Sequence, residues 1–281
     1  MQNLGVIGGG TMGAGIAEVA ARAGNSVLVL ERNTASARAG GHRIDASLAR
    51  AVRSGKLDKT QARVARQKIT LTCDITDFRD RELVIEAAPE DEALKVRFFT
   101  DLDKIVTPDA ILATNTSSIP IIRLAKSVSR PERVVGIHFF NPVPVMPLVE
   151  IVVSLETAPT VAERATSYAR DVLGKKTIHT KDQAGFVVNA LLIPYLCAAV
   201  RMLESGFASA EDIDAGMVDG CAHPMGPLRL IDTIGLDVTL AIAESLYTEF
   251  RERHYAPPVL LQRMVDAGHL GRKTGRGFYH Y

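Results

Sequence analysis

Charge of one sign is missing from this sequence. Lys and Arg number 33 against 32 Asp and Glu, a formal net charge of +1, which excludes the basic excess of a bulk nucleic-acid or anionic-membrane binder and leaves no acidic arm. Any basic site must therefore be local. Long hydrophobic runs are missing as well: Gly, Pro or charge breaks each apolar stretch far short of the ~20 residues that cross a bilayer. No transmembrane helix is expected. The chain enters an apolar run and a glycine cluster from its first residues, with no room for a charged region, an apolar region and a cleavage site in series. A secretory signal is therefore not expected, and a cytoplasmic location is. Cysteine is scarce, and Cys73, Cys197 and Cys221 are odd in number and widely spaced, which suits reduced thiols and not a disulfide framework. Cys221-Ala222-His223 lacks a second Cys or His pair to complete a tetrahedral set, so no metal is expected.

What is present is the balance of an ordinary globular chain: 281 residues, 47% hydrophobic and 23% charged, long enough for one large domain or two modest ones. Residues 2–7 form a short apolar run that ends in Gly8-Gly9-Gly10-Thr11-Met12-Gly13 and continues into small helix formers, a strand, tight turn and helix. Ser26 to Leu30 is a continuous apolar strand closed by Glu31, the pattern of a parallel sheet covered on both faces. Residues 34–66 read as a helical pair broken near Ser54-Gly55. Further strands are expected near 69–72, 83–87, 110–114 and 134–138, with a helix over 91–104. Strands alternating with helices imply βαβ units. After Lys175 to His179, a last strand, the pattern turns helical over 186–205, 210–218, 228–253 and 257–267. The expected organisation is an α/β domain over 1–183 and an all-helical domain over 184–281.

Gly8-x-Gly10-x-x-Gly13 would be a weak signal alone. Here it follows a strand, opens a helix and precedes Glu31, 18 residues after Gly13 at the next strand end, the context of a dinucleotide fingerprint. The glycines permit the turn and close backbone approach to a pyrophosphate, and the helix N-terminus attracts its charge. Glu31 suits the adenosine ribose hydroxyls and favours NAD, while the adjacent Arg32 keeps NADP open. Asn115-Thr116-Ser117-Ser118 stands at a strand end, either as a site or as helix-capping chemistry before Pro120. His138-Phe139-Phe140-Asn141-Pro142 stands at another strand end. If Leu148 to Val153 runs antiparallel to that strand, Glu150 returns beside His138. In open α/β sheets the carboxyl ends of strands line the ligand crevice, so these motifs converge on one edge. Asn189 is an amide in an apolar helix start and needs a partner. Arg50, Arg53 and Lys56 recur at helical spacing, as a solvated face or as a phosphate contact. The Gly271 to Gly277 segment reads as a flexible basic loop, either a plain terminal turn or a phosphate contact.

In this order and spacing, the glycine fingerprint, Asn115-Thr116-Ser117-Ser118, His138 to Met146, Leu148-Val149-Glu150 and Gly185 to Asn189 resemble the 3-hydroxyacyl-CoA dehydrogenase family across essentially the whole chain. Ala190 stands where many members carry Arg, and Pro147 where Lys is frequent. The resemblance implies a Rossmann-type doubly wound sheet with a C-terminal helical domain that forms a homodimer and the substrate cleft. It implies reversible oxidation of an L-3-hydroxyacyl-CoA to the 3-ketoacyl-CoA with NAD. It assigns acid/base catalysis to His138, its orientation to Glu150, and substrate hydrogen bonds to Ser117 and Asn189. Cofactor contacts fall to Gly8, Gly10, Thr11, Met12, Gly13, Glu31, Glu90, Lys95, Ser117, Asn141 and Lys273, and Arg50, Arg53 and Lys56 are expected to hold the CoA phosphates. Two other readings stand beside it: a dehydrogenase of carrier-protein-bound hydroxyacyl groups, and a non-catalytic protein on the same fold.

Overall fold

Most apolar runs of the first 183 residues become strands, while Ile121-Ile122 opens a short helix. The computed structural model describes residues 3–281. β1 (Asn3–Ile7) leads into α1 (Thr11–Arg22) and β2 (Ser26–Leu30), followed by α2 (Thr34–Arg53), α3 (Lys59–Gln67), β3 (Ile69–Thr72), β4 (Leu83–Glu86), α4 (Glu92–Ile105) and β5 (Ile111–Thr114). After α5 (Ile121–Ala125) come β6 (Val134–Phe139), β7 (Leu148–Val153), α6 (Pro159–Ser167) and β8 (Lys176–Lys181). The strands form one sheet in the order β3-β2-β1-β4-β5-β6-β7-β8. The order reverses between β1 and β4, which creates a crevice at the carboxyl ends of these strands.

Every residue of β4, β5 and β6 is buried, because helices cover both faces of the sheet. Leu4, Val6, Val27, Val29, Ile85, Ile111 and Ile137 share one core with Ile16, Val19 and Ala20 of α1 and with Ile44 and Leu48 of α2. Burying one such branched side chain contributes about 1.5–3 kcal/mol relative to leaving it exposed. β6 and β7 pair antiparallel and β7 and β8 parallel, so the last two strands run against the rest.

The chain divides into two compact units, Met1–Gln183 and Ala184–Tyr281. The second holds α7 (Val188–Glu204), α8 (Ala210–Cys221), α9 (Pro227–Ile234), α10 (Leu236–Phe250) and α11 (Val259–Asp266). Its core includes Ile193, Leu196, Val200, Leu228, Ile231, Leu240 and Leu246. Two buried aspartates join α8 to α9 and α9 to the C-terminal segment. Asp214 accepts from the Leu228 amide at 2.8 Å, capping α9. Asp232 accepts from the Phe278 and Tyr279 amides at 2.9 and 3.0 Å.

Several expectations are corrected. The helix expected over 228–253 is two, since Gly235 at φ 108° interrupts it, a conformation that glycine adopts without strain. α6 and the π-helical turn Tyr168–Val172 behind it had no counterpart in the sequence reading. Neither Ser117 nor Ser118 caps α5: the Asp182 carboxylate takes the Ile121 and Ile122 amides, both at 2.8 Å. The Gly271 segment is not a free loop, because Gly271 donates to the Arg276 carbonyl at 2.8 Å and bridges link Arg276 to both Gly271 and His280.

Candidate active site

The strand-to-helix turn after β1 is built from glycine for steric reasons. Gly8 sits at φ 90°, and a Cβ there would stand 2.9 Å from the Ala87 carbonyl oxygen. A Cβ on Gly13 would overlap the Gly8 carbonyl oxygen. Gly10, the N-cap of α1, has no side-chain cap, and a Cβ placed on it would meet nothing within 4 Å. The unoccluded first turn of α1 thus faces open space, with the amides and dipole that suit a diphosphate. A groove of about 920 Å³ runs past Gly8, Gly10, Thr11 and Met12 to Glu31, Arg32 and Arg43 on one side and Ala87, Ala88 and Pro89 on the other. That size and lining fit a dinucleotide, with Glu31 at the ribose end. The Glu31 Oε1 accepts from the Gly9 amide at 2.7 Å and Oε2 from the Arg32 amide at 3.3 Å, so the carboxylate is fixed in orientation.

A buried polar cluster adjoins the groove. Glu86 ends β4 with no exposure, and Lys95 on α4 is 1% exposed. The Lys95 ammonium lies 2.7 Å from Glu86 Oε1, 3.2 Å from the Ala88 carbonyl and 3.2 Å from Glu90 Oε2. The Glu90 carboxylate also accepts from the Thr116 hydroxyl, from the Ser118 hydroxyl at 2.7 Å and from the Ser117 amide at 3.3 Å. Burial pushes the Glu90 carboxyl up. The Lys95 charge and the hydrogen bonds from Thr116, Ser118 and Lys95 outweigh burial and hold it below the usual carboxylate value. Ser117 thus sits in a loop whose neighbours are all anchored on Glu90.

The next strand brings the histidine. β6 pairs with β7 so that His138 stands directly opposite Glu150. His138 Nδ1 is 2.7 Å from Glu150 Oε2, and the two side chains are 8% and 0% exposed. The Phe140 ring packs edge-on against the imidazole, with centroids 4.7 Å apart. A carboxylate on Nδ1 selects the tautomer in which Nδ1 carries the proton and Nε2 keeps its lone pair. The loop between the two strands is clamped twice. Val143 lies against Gly15 of α1, where a Cβ would be only 2.8 Å from the valine Cβ. Lys175 donates to the Val143 and Met146 carbonyls at 2.6 and 2.7 Å. Burial, reinforced by the Arg22 charge, lowers the pKa of this lysine. Asn115 Oδ1 accepts from the Phe139 amide at 2.8 Å, joining the Ser117 loop to the histidine strand. Asn141, next in the loop, is exposed.

The combination of a dinucleotide groove and a carboxylate-oriented histidine on one sheet edge is a constellation for proton and hydride transfer at an alcohol carbon. Comparison with known proteins agrees. The 3-hydroxyacyl-CoA dehydrogenase NAD binding domain matches residues 3–183, and the C-terminal domain of the same family matches residues 185–281. The chain belongs to the 3-hydroxyacyl-CoA dehydrogenase family. It is 54% identical over 282 residues to a 3-hydroxybutyryl-CoA dehydrogenase of Mycobacterium tuberculosis, covering 100% of this chain and 99% of that one. It is 42% identical over 278 residues to the 3-hydroxybutyryl-CoA dehydrogenase of Clostridioides difficile, covering 99% of each. Among solved structures, M. tuberculosis FadB2 superimposes with a TM-score of 0.99 over 100% of this chain and 99% of that one, at 54% identity. The (S)-3-hydroxybutyryl-CoA dehydrogenase of Ralstonia eutropha gives 0.94 at 44% identity, with the same coverage. The protein is thus an oxidoreductase of this family with its NAD-binding domain.

The remaining sequence-derived residues are distributed as follows. Asn189, in the first turn of α7, is buried, just after Gly185 and Phe186, which both take positive φ. Lys273, in the same unit, contacts both Asp237 carboxylate oxygens at 2.6 Å. Arg50 and Arg53 are exposed in the last turn of α2. Lys56 does not continue their helical face, because α2 ends at Arg53 and Gly55 turns the chain at φ 70°. Instead Lys56 borders a separate groove with Arg22 and Lys175. Sequence reasoning passed over Glu86, Thr114 and Asp182. A signal for Glu86 existed: a carboxylate flush with the end of the apolar run Leu83-Val84-Ile85.

Proposed function

We propose that this protein catalyses the reversible NAD-dependent oxidation of a short-chain L-3-hydroxyacyl-CoA, 3-hydroxybutyryl-CoA, to the 3-ketoacyl-CoA, acetoacetyl-CoA. The observation that carries the reading is the His138–Glu150 pair at 2.7 Å, buried on the sheet edge that also bears the dinucleotide groove. NAD, when bound, supplies the acceptor for the hydride that leaves C3. The glycine turn and the first turn of α1 hold its diphosphate, and Glu31 the adenosine ribose. His138 Nε2 takes the 3-hydroxyl proton during oxidation and returns it to the developing alkoxide in the reverse direction. Glu150 fixes the ring and stabilises the imidazolium that forms. Ser117 donates to the substrate oxygen, and Asn189 is the amide assigned to the same ligand. Arg50 and Arg53 hold CoA phosphates, with Lys56 contributing from its own groove. The C-terminal unit supplies the contact between two copies of a homodimer.

The test is direct. Acetoacetyl-CoA added to enzyme and NADH should remove absorbance at the nicotinamide wavelength, and a carrier-protein thioester of the same acyl group should turn over far more slowly. Equal or faster turnover of the carrier-bound acyl group would move the substrate assignment to carrier proteins. No turnover with either would leave a non-catalytic protein on this fold.

A further inference from the structure

The geometry points to Glu86 as a positioning residue that sets the cofactor wall and the Ser117 loop in register with each other. The inference rests on the proposed dehydrogenase reading. A carboxylate with no exposure at the centre of a parallel sheet is costly unless each oxygen is hydrogen-bonded, and the partners of Glu86 fall into two limbs. Its Oε1 accepts from the Ala88 amide at 2.6 Å and from Lys95 at 2.7 Å. This limb fixes the β4–α4 loop, whose Ala87, Ala88 and Pro89 form one wall of the dinucleotide groove. Its Oε2 accepts from the Thr114 hydroxyl at 2.7 Å. That hydroxyl in turn accepts from the Thr116 amide at 3.1 Å, at the base of the loop that carries Ser117. The Thr116 side chain continues the chain, donating to Glu90 and accepting from the Ile119 amide at 3.0 Å.

The limbs meet again at Glu90, which binds Lys95 from one and Thr116 from the other. The result is a closed ring of charged and neutral hydrogen bonds, and closed polar networks of this kind hold one geometry where apolar packing would tolerate several. Through Asn115 and the Phe139 amide the ring also reaches the strand of His138. A side chain needed only to fill this place in the core would be apolar, like Val84 and Ile85 before it. The carboxylate instead gives its oxygens to the two loops that, in the proposed reaction, present the nicotinamide to the substrate carbon and a hydroxyl donor to the oxygen on that carbon, where small displacements cost rate steeply.

The ring separates experimentally into its limbs. Glu86→Gln keeps the shape but removes the charge facing Lys95 and replaces the acceptor facing Thr114 by a donor, which weakens both limbs. Its dissociation constant for NADH, read by fluorescence titration without substrate, and its KM for acetoacetyl-CoA should both rise about tenfold, with a fall in kcat. Thr114→Val opens only the second limb. It should raise KM for the thioester and lower kcat while leaving NADH affinity within about twofold, and Thr114→Ser, which restores the hydroxyl, should restore both. If Glu86→Gln does not fold, the Thr114 pair decides alone. Equal kinetics for Thr114→Val and Thr114→Ser, or variants that melt earlier with NADH affinity and KM unchanged, would reduce the ring to a structural element. Absence of turnover in the unmodified enzyme would sink the dehydrogenase reading instead, and the NADH titration of Glu86→Gln would still report on the first limb.

Discussion

His138 and Glu150 meet across two antiparallel strands at 2.7 Å, and one hydrogen bond there settles the tautomer, the ring orientation and the stabilisation of the charged intermediate form. Residues that act as such a unit lose their effects non-additively. His138→Ala should lower kcat by about 10²–10⁴-fold, the range of a general acid–base group. Glu150→Gln should lower it by up to about 10⁴-fold, since shape is kept and the charge that sets the tautomer is lost. The double variant should be barely worse than His138→Ala. Steady-state kinetics of the three variants check this, and full multiplication of the two losses would separate Glu150 from the histidine. Glu31 is a second residue whose fixed posture matters. Held by the Gly9 and Arg32 amides, it cannot swing away from a 2′-phosphate, so the enzyme should prefer NAD. Glu31→Gln should narrow the ratio of kcat/KM for NAD over NADP by about tenfold, one unit of charge repulsion at short range. A native enzyme that used NADPH better would make Arg32 the dominant reader.

At the scale of elements, function follows from where each helix or strand stops. α2 ends at Arg53 with Arg50 in the same last turn, leaving two exposed cations one turn apart that suit the CoA phosphates. Replacing both by Gln should raise KM for acetoacetyl-CoA about tenfold, spare KM for NADH, and leave KM unchanged for a pantetheine thioester that lacks the nucleotide. An equal rise with the truncated thioester would move the phosphate site elsewhere. The elements on which these sites stand were legible in the sequence where period and punctuation agree: β1, α1 and β2 from an apolar run, three glycines and a second apolar run. The histidine and its carboxylate were legible through strand alternation, given an antiparallel β7. α6 was not, because Ala158-Pro159-Thr160 reads as a turn until Pro159 is recognised as a first helical residue. Lys56 was misread because the helical spacing of Arg50 and Arg53 was carried across the Ser54-Gly55 break that ends α2, where Gly55 turns the chain. The apolar run before Glu86 marked its position but not its role, and Asp182 carried no such mark. Their roles lie in contacts with Thr114 and with the start of α5, 28 and 61 residues away, and no local pattern encodes such partners.

At the scale of the whole molecule, the second unit carries a feature its own fold does not use. α7 buries Asn189, Ile193, Leu196, Cys197 and Val200 on one side, while Leu191 is 74% and Met202 42% exposed, with Val187 before the helix at 38% and Phe207 after it at 79%. Leu191, Ala198 and Met202 recur at intervals that share one helical face, and Ala198 is exposed as well. In the proposed homodimer, an apolar stripe of this length on a helix that already has a buried side is the surface that would meet the second copy. The proposed homodimer places this face at the two-fold axis, where the same residues meet their own copies and each added charge is paid twice. Leu191→Glu together with Met202→Glu should therefore convert the dimer to a monomer in sedimentation velocity. The thiol of Cys197, on the opposite face and pushed up to about 11 by burial, should stay unreactive towards thiol reagents in both forms, which distinguishes dissociation from unfolding. An unmodified protein that sediments as a single chain at micromolar concentration would remove the dimer from the proposal. A dimer that survives both charges would move its interface off α7.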